Sequence, residues 1–141
     1  MEHVQPSAEA LPIQKQLTDY FELIDLDTSR PVSFGPFSIE CRRTIHGVPT
    51  FALRINVGGR ILGFSADTAY DPGLIEWLSA ADLIIHEVTS LVHTGVHTPY
   101  EKLAALPESV RSKMRLTHYP DDFDVASSII EPLREGGRYE V

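Results

Sequence analysis

Three apolar–polar alternations follow one another between residues 37 and 66, and together they demand a sheet. FSIECRRTI (37–45) alternates, TFALRINV (50–57) sets Phe51, Leu53, Ile55 and Val57 on one side, and RILGFSA (60–66) comes directly after. A period of two places every second side chain on the same face of a strand. Gly58-Gly59 is a two-residue hairpin signal, and His46-Gly47-Val48-Pro49 fills the preceding turn. The three runs read as an antiparallel meander with one apolar face. Such a face, left bare, is a large exposed patch and an association site.

After Asp67 the period changes. Pro72 stands at a helix start, with Leu74, Ile75, Trp77 and Leu78 at helical spacing. DLIIHE (82–87) is a short apolar strand. Thr98-Pro99 opens a second helix, YEKLAAL, followed by a short basic segment, and MRLTHY (114–119) is another strand. Strand, helix and strand in succession predict an α/β (α+β) layered fold, with a mixed, largely antiparallel sheet and flanking helices. Weaker patterns complete the chain. LTDYFELIDL (17–26) suits a strand, TSRPVSFGPF holds a turn and a short strand, VASSIIEPLREGG (125–137) suits a helix despite Pro132, and the terminal YEV suits an edge strand. Residues 1–16 read as a flexible lead-in, residues 17–141 as one domain.

With 141 residues, 43% hydrophobic and 23% charged, the chain has the composition of one globular domain. The net charge of −8, from 12 basic and 20 acidic side chains, argues against a broad nucleic-acid surface, since phosphate binding needs clustered Lys and Arg. The single Cys41 forms no internal bridge and reads as a small buried hydrophobe; it suits a reducing cytoplasm. No apolar run approaches the ~18 residues of a membrane span, and the polar N-terminus lacks the apolar core of a signal peptide.

The chemistry-bearing residues fall in a pattern. Asp67 follows one apolar strand, His86 and Glu87 end the next, and His118 ends the one after; His93 and His97 lie in the loop between. Ligands collect where strands of an α/β sheet end on one edge. Imidazole and carboxylate are the usual donors to zinc and similar ions, and an Asp can bridge two of them. A lone His at a strand end is more often a hydrogen-bonded core residue, so each position carries that reading beside the metal one. His3 lies in the lead-in, away from the pattern.

The run FSADTAYDPGLIEWLSAADLIIHEVTSLVHTGVHTPYEKLAAL, with MRLTHYPDDF after it, resembles the C-terminal motifs of metallo-β-lactamase-fold phosphodiesterases, most closely the ribonuclease Z-like branch. Ala66-Asp67-Thr68 is similar to the element whose Asp bridges the metals, His86-Glu87-Val88-Thr89 to a His-Glu-Ala-Thr element, His97-Thr98 to a His-Ser/Thr element, and Leu116-Thr117-His118 to the strand end that supplies the last ligand. TIHGVPTFALRI resembles the turn before a strand in that branch, so His46 is expected to face the site.

The resemblance implies the C-terminal half of an αββα sandwich, with the apolar sheet face meeting the other half. It implies a divalent-metal cofactor, zinc first and manganese or iron as alternatives, two ions per complete site. Asp67 and His118 would be metal ligands, His97 would protonate a leaving oxygen or stabilise phosphate charge, and Glu87 and His86 would orient His97 or a ligand. The HxHxDH motif of the family's N-terminal half is not in the sequence. The expected function is therefore part of a metal-dependent phosphodiesterase acting on a small phosphodiester or an RNA end, with the remaining ligands supplied by an N-terminal half or a second chain. The alternative is a non-catalytic binding or oligomerisation module, including a homodimer through the apolar face.

Overall fold

The computed structural model describes residues 15–92 and 95–141; His3 and His93, like most of the predicted lead-in, lie outside these. One six-stranded sheet runs in chain order: β1 (Val32–Phe34), β2 (Phe37–Arg43), β3 (Phe51–Val57), β4 (Arg60–Phe64), β5 (Leu83–Glu87) and β6 (Met114–Thr117). The first four strands are antiparallel neighbours, and β5 and β6 add in parallel. The α/β class and the mixed sheet are those predicted. Helix α1 (Pro72–Leu78) connects β4 to β5, and α2 (Tyr100–Ala104) and α3 (Glu108–Arg111) connect β5 to β6. No helix among the described residues is long and apolar enough to cross a membrane.

Local chemistry explains the boundaries. Gly58 and Gly59 take φ of +59° and +84°, the left-handed geometry a tight hairpin needs, so β3 and β4 pair from Val57 against Arg60. α1 starts at Pro72 because the ring suits the first helical position, and the Asp71 carboxylate accepts the Gly73 N–H at 2.9 Å.

The sheet has two unlike faces. On one, Leu74 and Leu78 of α1 and Leu103 of α2 pack with Ala52, Ile84, Met114, Leu116 and Ile130. Gly63 belongs to this side, where a Cβ would stand 3.0 Å from Leu78 Cδ2 and 3.2 Å from Ala81 Cβ; the missing side chain is what lets α1 lie close. Arg54 lies over the Trp77 ring at 4.4 Å and holds Glu40 through both guanidinium Nη2 and Nε. The other face carries Ile39, Leu53, Ile55, Leu62, Phe64 and Ile85, cross-strand partners in continuous register. These side chains are half-buried and none belongs to the core cluster, while Phe37, Phe51 and Val57 at its margin are 38–41% exposed. The alternation therefore produces the apolar face it predicts. Cys41 is buried in β2 as a small hydrophobe, and burial pushes its thiol pKa up.

Four expectations are corrected. Residues 17–26 form a single 3₁₀ turn, Leu17–Asp19, and no strand; alternation is insufficient where no neighbouring strand supplies a ladder, and Tyr20, Phe21 and Leu23 stay at least 60% exposed. Residues 125–137 form turns rather than a helix. Asp124 draws in the Ala126 and Ser127 N–H groups, and the chain then runs beside β6, with Leu116 N–H donating to Glu131 and Leu133 N–H to Leu116. A helix there would also have to accommodate Pro132, which has no N–H. The terminal YEV makes no strand; the Val141 carbonyl instead accepts from Arg60 Nε at 2.9 Å. Finally, β4 stops at Phe64 rather than 66, because Ala66 turns to φ +49°.

Candidate functional site

Strands β4, β5 and β6 are parallel, so their C-terminal ends share one edge, and β2 and β3 meet the same edge through the turn between them. Asp67 follows β4, Glu87 ends β5 and His118 follows β6. His97 comes from the loop before α2, and His46 from the β2–β3 turn. The loops are stitched together through Thr68, which is fully buried: its N–H donates to Glu87 Oε1 at 2.6 Å, and its carbonyl accepts the Thr98 hydroxyl at 2.9 Å. A parallel bridge between Thr89 and Pro99 fixes the far end of the His97 loop.

Asp67 and His118 face each other across the edge, His118 Nδ1 lying 3.1 Å from Asp67 Oδ1. His97 joins them: one ligand-capable atom from each of Asp67, His97 and His118 lies within 4.8 Å of the other two. Asp67 and His118 offer the carboxylate and imidazole that divalent-ion sites use, and His97 stands within reach of both. Glu87 stands behind His97. Its oxygens lie 3.0 and 3.1 Å from His97 Nδ1 while its side chain is only 2% exposed. An Nδ1–H facing this carboxylate keeps the imidazole lone pair on Nε2. Burial pushes the Glu87 pKa upward, and the hydrogen bonds from Thr68 N–H and His97 oppose that.

His86 is not brought to this cluster. It alternates with Glu87 on β5, so its ring enters the helix-covered face, 1% exposed, with Nδ1–H donating to the Glu87 carbonyl at 2.7 Å. Adjacent side chains of a strand point to opposite faces of the sheet, so His86 and Glu87 cannot both turn to the cluster. His46, a minor candidate in the sequence, does reach the edge: its Nε2 is 4.0 Å from Asp67 Oδ2, and its ring centroid is 5.3 Å from that of His97. The resemblance of TIHGVPTFALRI to a turn before a strand was the signal that pointed to it.

Two residues beside the cluster hold left-handed backbones, Ala66 at φ +49° and His118 at φ +54°. Such positions recur where a loop must aim a functional side chain; here they reverse the chain at the ends of β4 and β6 so that Asp67 and His118 converge. Ala66→Gly removes the Cβ penalty of that geometry. It should raise stability by about 0.5–1 kcal/mol, the cost of a left-handed alanine less the added freedom of glycine when unfolded. Urea unfolding at unchanged m-value checks this, and a lower midpoint would contradict it.

A hollow of about 240 Å³ opens beside the cluster, lined by Val88, Thr89, His97, His118, Tyr119 and Pro120.

Comparison with known proteins agrees with this fold. The crystal structure of the metallo-beta-lactamase fold protein YhfI from Bacillus subtilis superposes with a TM-score of 0.63 at 26% identity, over 72% of this chain and 44% of that one. The chain is thus a metallo-β-lactamase-fold protein. Within that class, a family model described as Anti-Pycsar protein Apyc1 matches residues 3–132, and the chain belongs to that family, related to the branch its motifs resemble. The Anti-Pycsar protein Apyc1 of Paenibacillus sp. (strain J14) is 33% identical over 114 residues, 77% of this chain and 45% of that protein. The cAMP/cGMP-dependent 3′,5′-cAMP/cGMP phosphodiesterase B of Dictyostelium discoideum is 25% identical over 141 residues, covering 87% of this chain and 12% of that protein. The chain spans less than half the length of each of these three.

Proposed function

We propose that this chain is part of a divalent-metal-dependent phosphodiesterase whose substrate is a small phosphodiester of the 3′,5′-cyclic nucleotide class. The observation that carries the reading is the Glu87-backed His97 set against the Asp67–His118 pair. Asp67 and His118 would hold the metal, zinc first among the candidates with manganese or iron as alternatives. When bound, the metal supplies polarisation of a phosphoryl oxygen and a hydroxide at neutral pH. With both ring nitrogens protonated, His97 stands where it can give its Nε2 proton to the leaving oxygen, or hold charge on the phosphate, the Glu87 carboxylate facing the Nδ1–H. Glu87 keeps the His97 ring in one tautomer and one orientation.

The donors brought together among the described residues are fewer than a two-metal site uses. The remaining ligands would come from a second αβ half seated on the apolar face of Ile39, Leu53, Ile55, Leu62, Phe64 and Ile85. The net charge of −8 disfavours a long polyanion such as tRNA and leaves a small phosphodiester as the better fit. The name of the Dictyostelium relative supports the cyclic nucleotide class.

The test is a substrate panel of cyclic AMP, cyclic GMP, a linear dinucleotide and precursor tRNA, each with zinc and with manganese. Hydrolysis of the cyclic nucleotides with precursor tRNA left intact is the expected outcome. Cleavage of precursor tRNA alone would overturn the substrate class.

A second reading, a binding module that self-associates, draws on the same half-buried apolar face. A monodisperse monomer by light scattering would eliminate the homodimer.

A further inference from the structure

We propose that two copies of this chain associate by exchanging a strand, residues 21–26 of each copy adding to the open edge of β2 at residues 40–43 of the other.

The open edge has a cause in the sequence. β2 runs from Phe37 to Arg43, but β1 pairs with it only as far as Ile39. The residue before β1 is Pro31, which has no N–H to donate to the strand beside it. Further back, the Asp27 carboxylate accepts the Ser29 N–H at 2.8 Å, the Ser29 hydroxyl at 2.6 Å and Arg30 Nε at 2.9 Å, so the chain curls on itself and leaves the ladder. Residues 40–43 therefore have β3 on one side and, among the described residues, no strand on the other. An unpaired row of this kind is a template for another chain. A hollow of about 580 Å³ lies along it, walled by β2, residues 27–31, Phe51 and Trp77.

The acids of this hollow are answered within the chain, Glu40 by Arg54 Nη2 at 2.8 Å and Asp27 by Arg30. The arginines of β2 are not. Arg42 donates to the Gly73 carbonyl at 3.1 Å, a neutral partner, and Arg43 is exposed and makes no ion pair among the described residues. Successive side chains of a strand alternate, so one guanidinium stands on each face of the open edge, in a chain whose net charge is −8. Arg42 shares its face with Trp77, and Arg43 shares the other with its cross-strand partner Phe51.

Residues 21–26 are the complement. They take no regular structure, and Phe21, Leu23, Ile24 and Leu26 are all exposed. Laid out as a strand, the segment puts Glu22, Ile24 and Leu26 on one face and Phe21, Leu23 and Asp25 on the other. In either register each acid shares a face with one arginine of the edge, and the apolar side chains beside it would meet Trp77 on one face and Phe51 on the other. Within one copy Leu26 leads directly into Asp27, in the far wall of the same hollow, so the chain would have to reverse there to fill it. A two-fold pair needs no reversal, because each copy gives its segment to the other's edge.

The competing role for Arg42 and Arg43 is to keep the edge from pairing with any chain. Sedimentation equilibrium of the full chain should show a monomer–dimer equilibrium, and Leu23→Pro, which removes an N–H from the donated strand at an exposed position, should weaken it. Charge reversal separates the two roles. Arg42→Glu with Arg43→Glu, and Glu22→Arg with Asp25→Arg, should each weaken association about tenfold or more, since the cross-strand charge contacts of both edges turn repulsive. An equimolar mixture of these two proteins should associate as the unaltered chain does, because each edge then meets a segment of opposite charge. A mixture that stays monomeric, or an unaltered chain that is monomeric at every concentration, would overturn the proposal. So would an association that survives Leu23→Pro and is lost in Phe64→Asp, which would place the contact on the apolar face of the sheet. The cyclic nucleotide panel decides the phosphodiesterase reading separately, as none of these residues belongs to the Asp67 cluster.

Discussion

Replacing Asp67 with Ala in the complete, metal-loaded protein should abolish hydrolysis of a cyclic nucleotide, and His97→Ala should lower kcat by about 10²–10⁴-fold, the share of a lost general acid. The two should differ in metal content. Asp67 supplies the one carboxylate of the cluster, its Oδ1 3.1 Å from His118 Nδ1, so its loss should empty the site. Removing His97 should leave zinc in place, because Asp67 and His118 do not depend on it for their mutual contact at 3.1 Å. Glu87 acts through His97, its oxygens 3.0 and 3.1 Å from Nδ1. A Glu87→Gln, His97→Ala double variant should therefore be no slower than His97→Ala alone, as groups that work as a unit are not additive. Steady-state kinetics with elemental analysis of each variant checks the set. Loss of zinc from His97→Ala would make His97 a ligand rather than an acid, and unchanged turnover in Asp67→Ala would remove Asp67 from the mechanism.

Acid should destabilise the fold through His86. Burial holds this imidazole at about 4 against a usual 6.5, with the hydrogen bond to the Glu87 carbonyl pulling weakly the other way. Between these two values the unfolded chain takes up a proton that the folded chain refuses. The unfolded state then binds more protons, so stability rises with pH across the window. The contribution is fully present above about 6.5, is lost as pH falls toward 4, and is flat below that. At 1.36 kcal/mol per pKa unit, the loss is about 3 kcal/mol, a large share of a small domain's stability. His86→Asn retains an N–H for the Glu87 carbonyl and cannot titrate, so it should lose markedly less stability over the same window. Urea unfolding of both proteins at several pH values measures the difference. Parallel curves would show that His86 is not the titrating group.

The contrast between Glu87 and His86 shows how far a sequence reading reaches. Both residues end the same apolar strand and both belong to the same motif, so spacing along the chain gives them equal claim to the site. The two-residue period of β5 separates them: Glu87 turns to the face that meets His97, and His86 to the core under the helices. Which face is which depends on the register of β5 between β4 and β6, a long-range pairing. His46 shows the reverse case, a turn residue 21 positions before Asp67 that arrives beside it because three backbone-linked contacts fold the β2–β3 turn over the Asp67 loop. The weak segments failed for a related reason. LTDYFELIDL alternates but finds no ladder, and VASSIIEPLREGG has helical spacing but a proline and an Asx-type turn that draw it beside β6 instead.

What this sequence determines by itself is local: the three-strand meander with its Gly58-Gly59 hairpin, the start of α1 at Pro72, the buried strands of β5 and β6, and the residue types of the edge. Each follows from periodicity or from the backbone preferences of Gly and Pro, which act over a few residues. The tertiary structure alone decides which side chains share the edge, because that depends on parallel pairing of β4, β5 and β6 and on the left-handed turns at Ala66 and His118. Those features cost conformational freedom and strain locally, and they persist because the helix-covered core of Leu74, Leu78, Ile84, Met114 and Leu116 holds the strand ends where they are.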